Sequence, residues 1–214
     1  MERKAHWENV YQTKPLSEVS WYEPIPATSL KIIDELGLPK SAAIIDIGGG
    51  DSLLADHLLE LGYTNISVLD ISSAAIERAK LRLGLKSILV KWIISDMLLF
   101  TGTEKFDLWH DRAAFHFLTD PQDQQLYLYT VNKNLKDDGY LVLGTFSVNG
   151  PEKCSNLPVQ QYSELTLTRL FSQYFKKINC FIKDHTSPFL TLQQFIFCIF
   201  QMNQQLFVIE HPIL

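Results

Sequence analysis

The sequence predicts an α/β fold, with helices on both faces of a mostly parallel sheet. Three observations carry this. Short apolar runs at 42–47, 66–70, 88–95, 106–109 and 140–146 alternate with stretches of helical period. The first run leads into Asp46-Ile47-Gly48-Gly49-Gly50-Asp51-Ser52, a strand, a glycine turn and the start of a helix. Two β-like stretches near the end, about 175–184 and 191–201, are joined by Thr186-Ser187-Pro188 and read as a closing hairpin.

The glycine junction is the centre of the chain. An apolar run bounded by turn residues reads as a strand buried on both faces. Glycines after it let the backbone turn tightly and approach a ligand with no Cβ in the way. The helix that follows points unpaired N–H groups at the same place. A nucleotide-type binding site is expected here.

The other elements follow in order. Residues 5–23 are rich in aromatics, with His6, Trp7, Tyr11, Trp21 and Tyr22. They read either as a short helix packed on the domain edge or as a lid, with residues 1–27 as an N-terminal segment and 28–214 as one domain. Thr28 or Ser29 is placed to cap a helix carrying Leu30, Ile33 and Leu36, which ends at Gly37. The helix after the glycines, from Ser52 to about Leu61, carries Leu54, Leu58 and Leu61 at helical spacing. The second strand ends at Asp70, 20 residues after Gly50, the spacing of an acid that hydrogen-bonds a ribose diol. Ser72 and Ser73 then cap a helix closed by Gly84. The third strand ends at Asp96, and the fourth runs into His110-Asp111-Arg112. Asp120-Pro121 starts a helix, Asp138-Gly139 turns the chain into the fifth strand, 148–162 is a loop, and Ser163 starts the last helix.

Composition narrows the function classes. A net charge of -5 over 214 residues argues against a nucleic-acid surface, which needs clustered Lys and Arg. The longest apolar run, 195–200, is too short to span a membrane, and the N-terminus carries no apolar signal segment. Cys154, Cys180 and Cys198 are too few and too scattered for a disulfide framework or a zinc site. A reducing, cytoplasmic compartment is therefore expected, with no metal.

A dinucleotide fingerprint would need Gly-x-Gly-x-x-Gly. Here Gly48, Gly49 and Gly50 are followed by Asp51-Ser52-Leu53, so the last glycine is missing and an acid faces any phosphate. A NAD-dependent oxidoreductase is set back accordingly. The acids Asp46, Asp51, Asp70, Asp96 and Asp111 instead suit a ligand with a ribose diol and positive charges.

Four pieces, in order and each at a strand end, resemble the class I S-adenosylmethionine (SAM)-dependent methyltransferases over roughly residues 40–147. Asp46-Ile47-Gly48-Gly49-Gly50 looks like the family's first motif. Asp70 stands where its ribose-binding acid ends the second strand, with Ile71 beside it. Ser95-Asp96-Met97 looks like the third motif, whose acid meets the adenine amino group and whose next residue packs beside the ring. Residues 106–112 match the fourth, beside the methionine end and the substrate. The resemblance implies a Rossmann-like three-layer sandwich with a seven-stranded, mostly parallel sheet and an antiparallel C-terminal hairpin strand. It implies SAM as cofactor and S-adenosylhomocysteine as product, with Asp46, Gly48, Gly49, Gly50, Asp70, Ile71, Asp96 and Met97 as contacts. Trp21 and Tyr22 are expected to close over them.

His110-Asp111-Arg112-Ala113-Ala114-Phe115-His116-Phe117 is similar to the stretch after the fourth strand in thiopurine-type small-molecule methyltransferases and in some protein lysine methyltransferases. Ala113 stands where that stretch has Gly. Phe115 and Phe117 are candidates for the methyl-transfer pocket. His110 and His116 are candidate proton acceptors, with Asp111 beside them, or else hydrogen-bonded structural residues. Asp111-Arg112 is either functional or an ion pair. The acceptor is expected to be a small molecule, with a protein lysine as the alternative and a non-catalytic SAM-binding protein as the third reading. A monomer or homodimer is expected.

Overall fold

The computed structural model describes residues 2–203. Its strands are β1 (Ala43–Ile47), β2 (Asn65–Asp70), β3 (Val90–Ile94), β4 (Phe106–Arg112), β5 (Leu135–Phe146), β6 (Lys153–Cys154), β7 (Leu157–Pro158), β8 (Phe175–Thr186) and β9 (Leu192–Met202). Seven of them form one sheet in the order β3-β2-β1-β4-β5-β9-β8. The first five are mutually parallel, and β9 runs against both of its neighbours. The sheet is the one expected. The strand order reverses between β1 and β4, and ligands of such sheets bind outside the carboxyl ends at that point.

The helices are α1 (Glu2–Thr13), α2 (Ala27–Glu35), α3 (Leu54–Glu60), α4 (Ser73–Leu83), α5 (Pro121–Asn134) and α6 (Glu164–Phe171). Alternate residues of each strand feed two cores. Ile45, Ile47, Trp109, Leu141 and Leu143 pack with Leu128 and Val131 of α5 and Phe171 of α6. Ile44, Leu108 and Val142 pack on the other face with Ile33 of α2, Leu54 and Leu58 of α3 and Ile76 of α4. Every residue of β1 is buried, which explains its unbroken apolar character around the single acid Asp46.

The expected caps form at three helices. Ser72 Oγ accepts from Ala75 N at 3.2 Å, Asp120 Oδ1 from Gln122 N at 2.8 Å, and Ser163 Oγ from Thr166 N at 3.2 Å. At α2 the expectation fails. The helix starts at Ala27, after Pro26, and neither Thr28 nor Ser29 caps it. Ser29 turns inward because a buried histidine takes its hydroxyl instead. The 148–162 loop folds back on itself as the β6–β7 hairpin.

The cysteine reading is also corrected. Cys180 and Cys198 face each other in the β8–β9 register, with Cα atoms 4.2 Å apart, and are joined by a disulfide. Eighteen residues separate them in sequence, and antiparallel pairing alone brings them together. The argument for a reducing compartment loses its support. Cys154 stays free and buried. Among the described residues no helix is long and apolar enough to cross a membrane.

The N-terminal segment is fastened to the sheet layer through α4. Glu8 of α1 accepts from Ser72 Oγ and Ser73 Oγ at 2.8 Å and from Ala74 N at 3.1 Å, at the N-terminus of α4. Arg78 of α4 donates to Tyr11 O at 2.8 Å and Lys14 O at 2.7 Å, at the C-terminus of α1. Each charge sits at the helix end whose dipole it complements.

Candidate active site

The carboxyl ends of the strands and the N-terminal segment line a cavity of about 90 Å³ that opens to solvent. Gly48, Asp70, Ile71, Asp96 and Met97 line its sheet side, and Trp7, Tyr11 and Trp21 line the opposite side. Arg112, Phe117 and Cys154 lie at one end. A second cavity, of about 50 Å³, shares Gly48, Trp21 and Arg112 with the first. Tyr22, Glu23, Ser29, Asp46, Gly49 and His110 are among its other lining residues.

The glycine loop leaves no room for side chains. Gly48 has φ +62°, and a Cβ on it would lie 2.7 Å from Ala114 Cβ. Gly50 has φ +46°, and its Cβ would lie 2.9 Å from both Asp70 Oδ2 and Tyr11 Oη. Positive φ and close approach each favour glycine. Asp51 lines the second cavity. It is buried and paired with Arg78 at 2.8 Å, so its acid is absorbed by α4.

Asp70 is the dominant acid of the cavity. Its Oδ1 accepts from Ser72 N at 2.8 Å. Burial pushes its carboxyl up to about 7, the Ser72 N–H opposing and the nearby Asp51 and Asp46 adding to the rise. A ligand that donates hydroxyl hydrogens to it would restore the carboxylate. Asp96 accepts from Leu98 N at 3.0 Å and faces Arg3 at 3.5 Å, and Arg3 also pairs with Asp123 at 2.6 Å. No sequence signal marks Arg3 or Cys154 as cavity residues.

Trp7, Tyr11, Trp21 and Phe117 form an aromatic box. Trp7 meets Phe117 at 4.9 Å and Trp21 at 5.8 Å, both edge to face at 77°, and Tyr11 meets Trp21 at 6.3 Å. Their ring faces attract cations. Phe115, grouped with Phe117 by sequence, is instead fully buried against Tyr127, Tyr162 and Phe171. Two residues of chain separate a cavity wall from the core.

Asp111 and Arg112 do not pair with each other, because neighbours on a strand point to opposite faces. Asp111 accepts from Tyr127 Oη at 2.7 Å and from the N–H groups of Ala114 and Phe115 at 3.1 Å. Burial pushes its carboxyl up to about 6 against those bonds. Arg112 reaches the other way, donating to Trp21 O at 3.0 Å and pairing with Glu23 at 3.0 Å. Between them and the box, Ala113 has φ +65°. A left-handed conformation strains a residue with a Cβ. Ala113→Gly is therefore expected to raise stability by about 1 kcal/mol; a thermal melt checks it, and a lower melting temperature would refute it.

The two histidines differ. His110 Nδ1 lies 2.6 Å from Asp46 Oδ1 and its Nε2 lies 2.9 Å from Ser29 Oγ, all three buried. His116 is fully enclosed, stacked on Phe146 at 4.4 Å, with no hydrogen-bond partner on either ring nitrogen. Burial, with Arg112 adding to it, pushes its imidazole down to about 3, so it is neutral. His116, Asp111 and Gly50 are not among the residues that line either cavity. Among the described residues no three His, Cys, Asp or Glu side chains group to hold a metal ion.

Residues 45–141 match the family model described as a methyltransferase domain. The chain is 24% identical over 157 residues to EEF1A lysine methyltransferase 2 of Danio rerio, covering 65% of this chain and 66% of that protein. The chain thus spans just under two thirds of that relative's length. Among solved structures, one titled for conversion of a disulfide bond into a thioacetal group during echinomycin biosynthesis superposes with a TM-score of 0.76. It is 20% identical and covers 94% of each chain. The 1,6-didemethyltoxoflavin-N1-methyltransferase of Burkholderia thailandensis, solved with bound 1,6-didemethyltoxoflavin and S-adenosylhomocysteine, gives 0.67 at 17% identity over 94% of this chain and 84% of that one. Residues 45–141 are thus similar to a methyltransferase domain, and the sheet as a whole has the fold of SAM-dependent methyltransferases.

Proposed function

We propose that the chain binds SAM between the strand ends and the N-terminal segment and moves its methyl group, by in-line displacement, to a nucleophile on a small molecule. One observation carries the reading: a buried acid at a strand end, Asp70, shares a cavity with a four-ring aromatic box. SAM has a ribose diol, an ammonium and a sulfonium but no phosphate, so acids and ring faces are the chemistry it needs.

When bound, SAM supplies the electrophilic methyl group. Asp70 accepts from the ribose hydroxyls. Asp96 takes the adenine amino group, with Ile71 and Met97 against the ring. Gly48 and Gly49 let the backbone approach, and Gly50 leaves room for Asp70 and Tyr11 beside them. Asp46 and Tyr22, in the second cavity, take the amino-acid end, with Arg112 opposite its carboxylate. Trp7, Tyr11, Trp21 and Phe117 steady the sulfonium and exclude water. His110, braced by Asp46 and set at a cavity wall, is the candidate proton acceptor. His116, with both nitrogens enclosed, is assigned to packing.

The likeness to a small-molecule N-methyltransferase supports the small acceptor. The likeness to a lysine methyltransferase supports a second reading, in which a protein lysine enters the aromatic box. Binding without turnover is the third. Calorimetric titration with S-adenosylhomocysteine, run beside NAD, is expected to show binding of the first alone; silence from S-adenosylhomocysteine would withdraw the proposal. Label from SAM then separates the three readings, by entering small molecules, protein bands or neither.

A further inference from the structure

Two histidines outside every motif, His57 and His185, grip the same stretch of the N-terminal loop. His185 lies on β8 and is buried, with Nε2 2.8 Å from Ser20 O and Nδ1 3.2 Å from Glu23 Oε1. His57 lies on α3, with Nε2 3.1 Å from Pro24 O and Nδ1 3.5 Å from Glu60 Oε2. Between these anchors stand Trp21 and Tyr22. Trp21 lines both cavities and a third, outer cleft with Lys14, Lys153 and Phe189. It is the common wall of all three.

A carbonyl or carboxylate oxygen only accepts hydrogen bonds, and a neutral imidazole carries one N–H where an imidazolium carries two. All four ring nitrogens face such oxygens. Nε2–H of either ring donates to its loop carbonyl whatever the ring's charge, but at His185 an imidazolium adds an ion pair to Glu23 of the loop, 3.2 Å from Nδ1, that a neutral ring lacks. We infer that His57 and His185 are positioning residues that hold Trp21 against the cofactor cavity, and that the hold tightens when His185 is protonated and pairs with Glu23 of the loop.

The charged surroundings agree. Glu23 meets Arg112 of β4 as well as His185. Burial raises its carboxyl, but His185, Arg112 and, more weakly, His110 outweigh this and leave it below its ordinary value, so it is an anion. Asp184, next to His185 in β8, turns to Gln194 instead, and Cys154 reaches Ser20 from the β6–β7 hairpin. His57 faces Glu60 from its own helix and the Pro24 carbonyl from the loop.

This inference rests on the cofactor reading for its function, and its test separates the two. The full chain and the double variant His57→Gln/His185→Gln are titrated with S-adenosylhomocysteine at about pH 6 and about pH 8.5, either side of the range in which imidazoles change charge. Asp70 titrates in both proteins, so the ratio of their affinities is read. The variant is expected to bind roughly ten-fold more weakly at the lower pH and within about two-fold at the higher. A ratio that does not change with pH would overturn the inference, since a purely structural loss acts at both. Should neither protein bind, the cofactor reading fails, and hydrogen exchange of residues 18–25, corrected for its intrinsic pH dependence, decides. Wild-type protection greater at the lower pH, and equal at both in the variant, supports the clasp; equal wild-type protection refutes it.

Discussion

Asp70→Asn is expected to stabilise the free protein and, in the same molecule, to weaken S-adenosylhomocysteine binding. The carboxyl sits at about 7 in the folded chain, against about 4 when unfolded. Between those values the folded state holds the extra proton. Stability therefore falls as pH rises from about 4 to about 7 and stays low above that. Asparagine is neutral throughout, and its Oδ1 still accepts from Ser72 N. Near pH 8 the variant should gain about 2 kcal/mol, a rise of roughly 4–8 °C in melting temperature, with the curves converging near pH 4. Asp111 contributes a similar slope in both proteins and cancels from the difference.

Binding moves the other way. A hydroxyl donated to a carboxylate contributes about 1.5–3 kcal/mol, and asparagine offers one neutral acceptor in its place, so affinity should fall roughly 10–100-fold. Wild-type binding near neutral pH should also release a proton, visible as a buffer-dependent heat. Unchanged affinity in a variant of unchanged circular dichroism would remove Asp70 from the ribose.

Asp111→Ala carries the largest expected cost in stability. It strips the acceptor from Tyr127 Oη, Ala114 N and Phe115 N at a site with no solvent exposure. Unsatisfied buried donors cost about 1–3 kcal/mol each, and with partial relaxation a total of about 3–5 kcal/mol is expected. Asp111→Asn keeps Oδ1 for the two backbone N–H groups and should cost about 1–2 kcal/mol, from the turned Tyr127 hydroxyl, which also accepts from Trp109 Nε1. Chemical denaturation measures both. If Asp111→Ala melts like wild type, the brace is refuted. If Asp111→Asn folds normally yet abolishes label transfer, Asp111 takes part in the chemistry.

The element pattern was legible because its signals are local. Ser72, Asp120 and Ser163 cap helices that they precede by one residue. Gly48 and Gly50 take the positive φ that their place after β1 demands. Asp70 and Asp96 end up lining the cavity because parallel strands joined by right-handed crossovers bring their carboxyl ends to one edge. Even Ala113, where related stretches have glycine, keeps the left-handed turn.

Partners far apart in the chain were not legible. Ser29 has the character of a cap, yet it binds His110, 81 residues on. Asp111 and Arg112 read as a pair, yet strand geometry sends one to Tyr127 and the other to Glu23. Cys180 and Cys198 read as scattered until the β8–β9 register set them opposite each other. His185 meets Ser20 across 165 residues. By itself the sequence determined the strands, the helices, the glycine turn and the acids at the strand ends, because period, caps and backbone freedom act within a few residues. Only the tertiary structure decided which side chains face the cavity, which brace one another and which hold the N-terminal loop. Those outcomes depend on sheet order and register, which the packing of the whole chain selects.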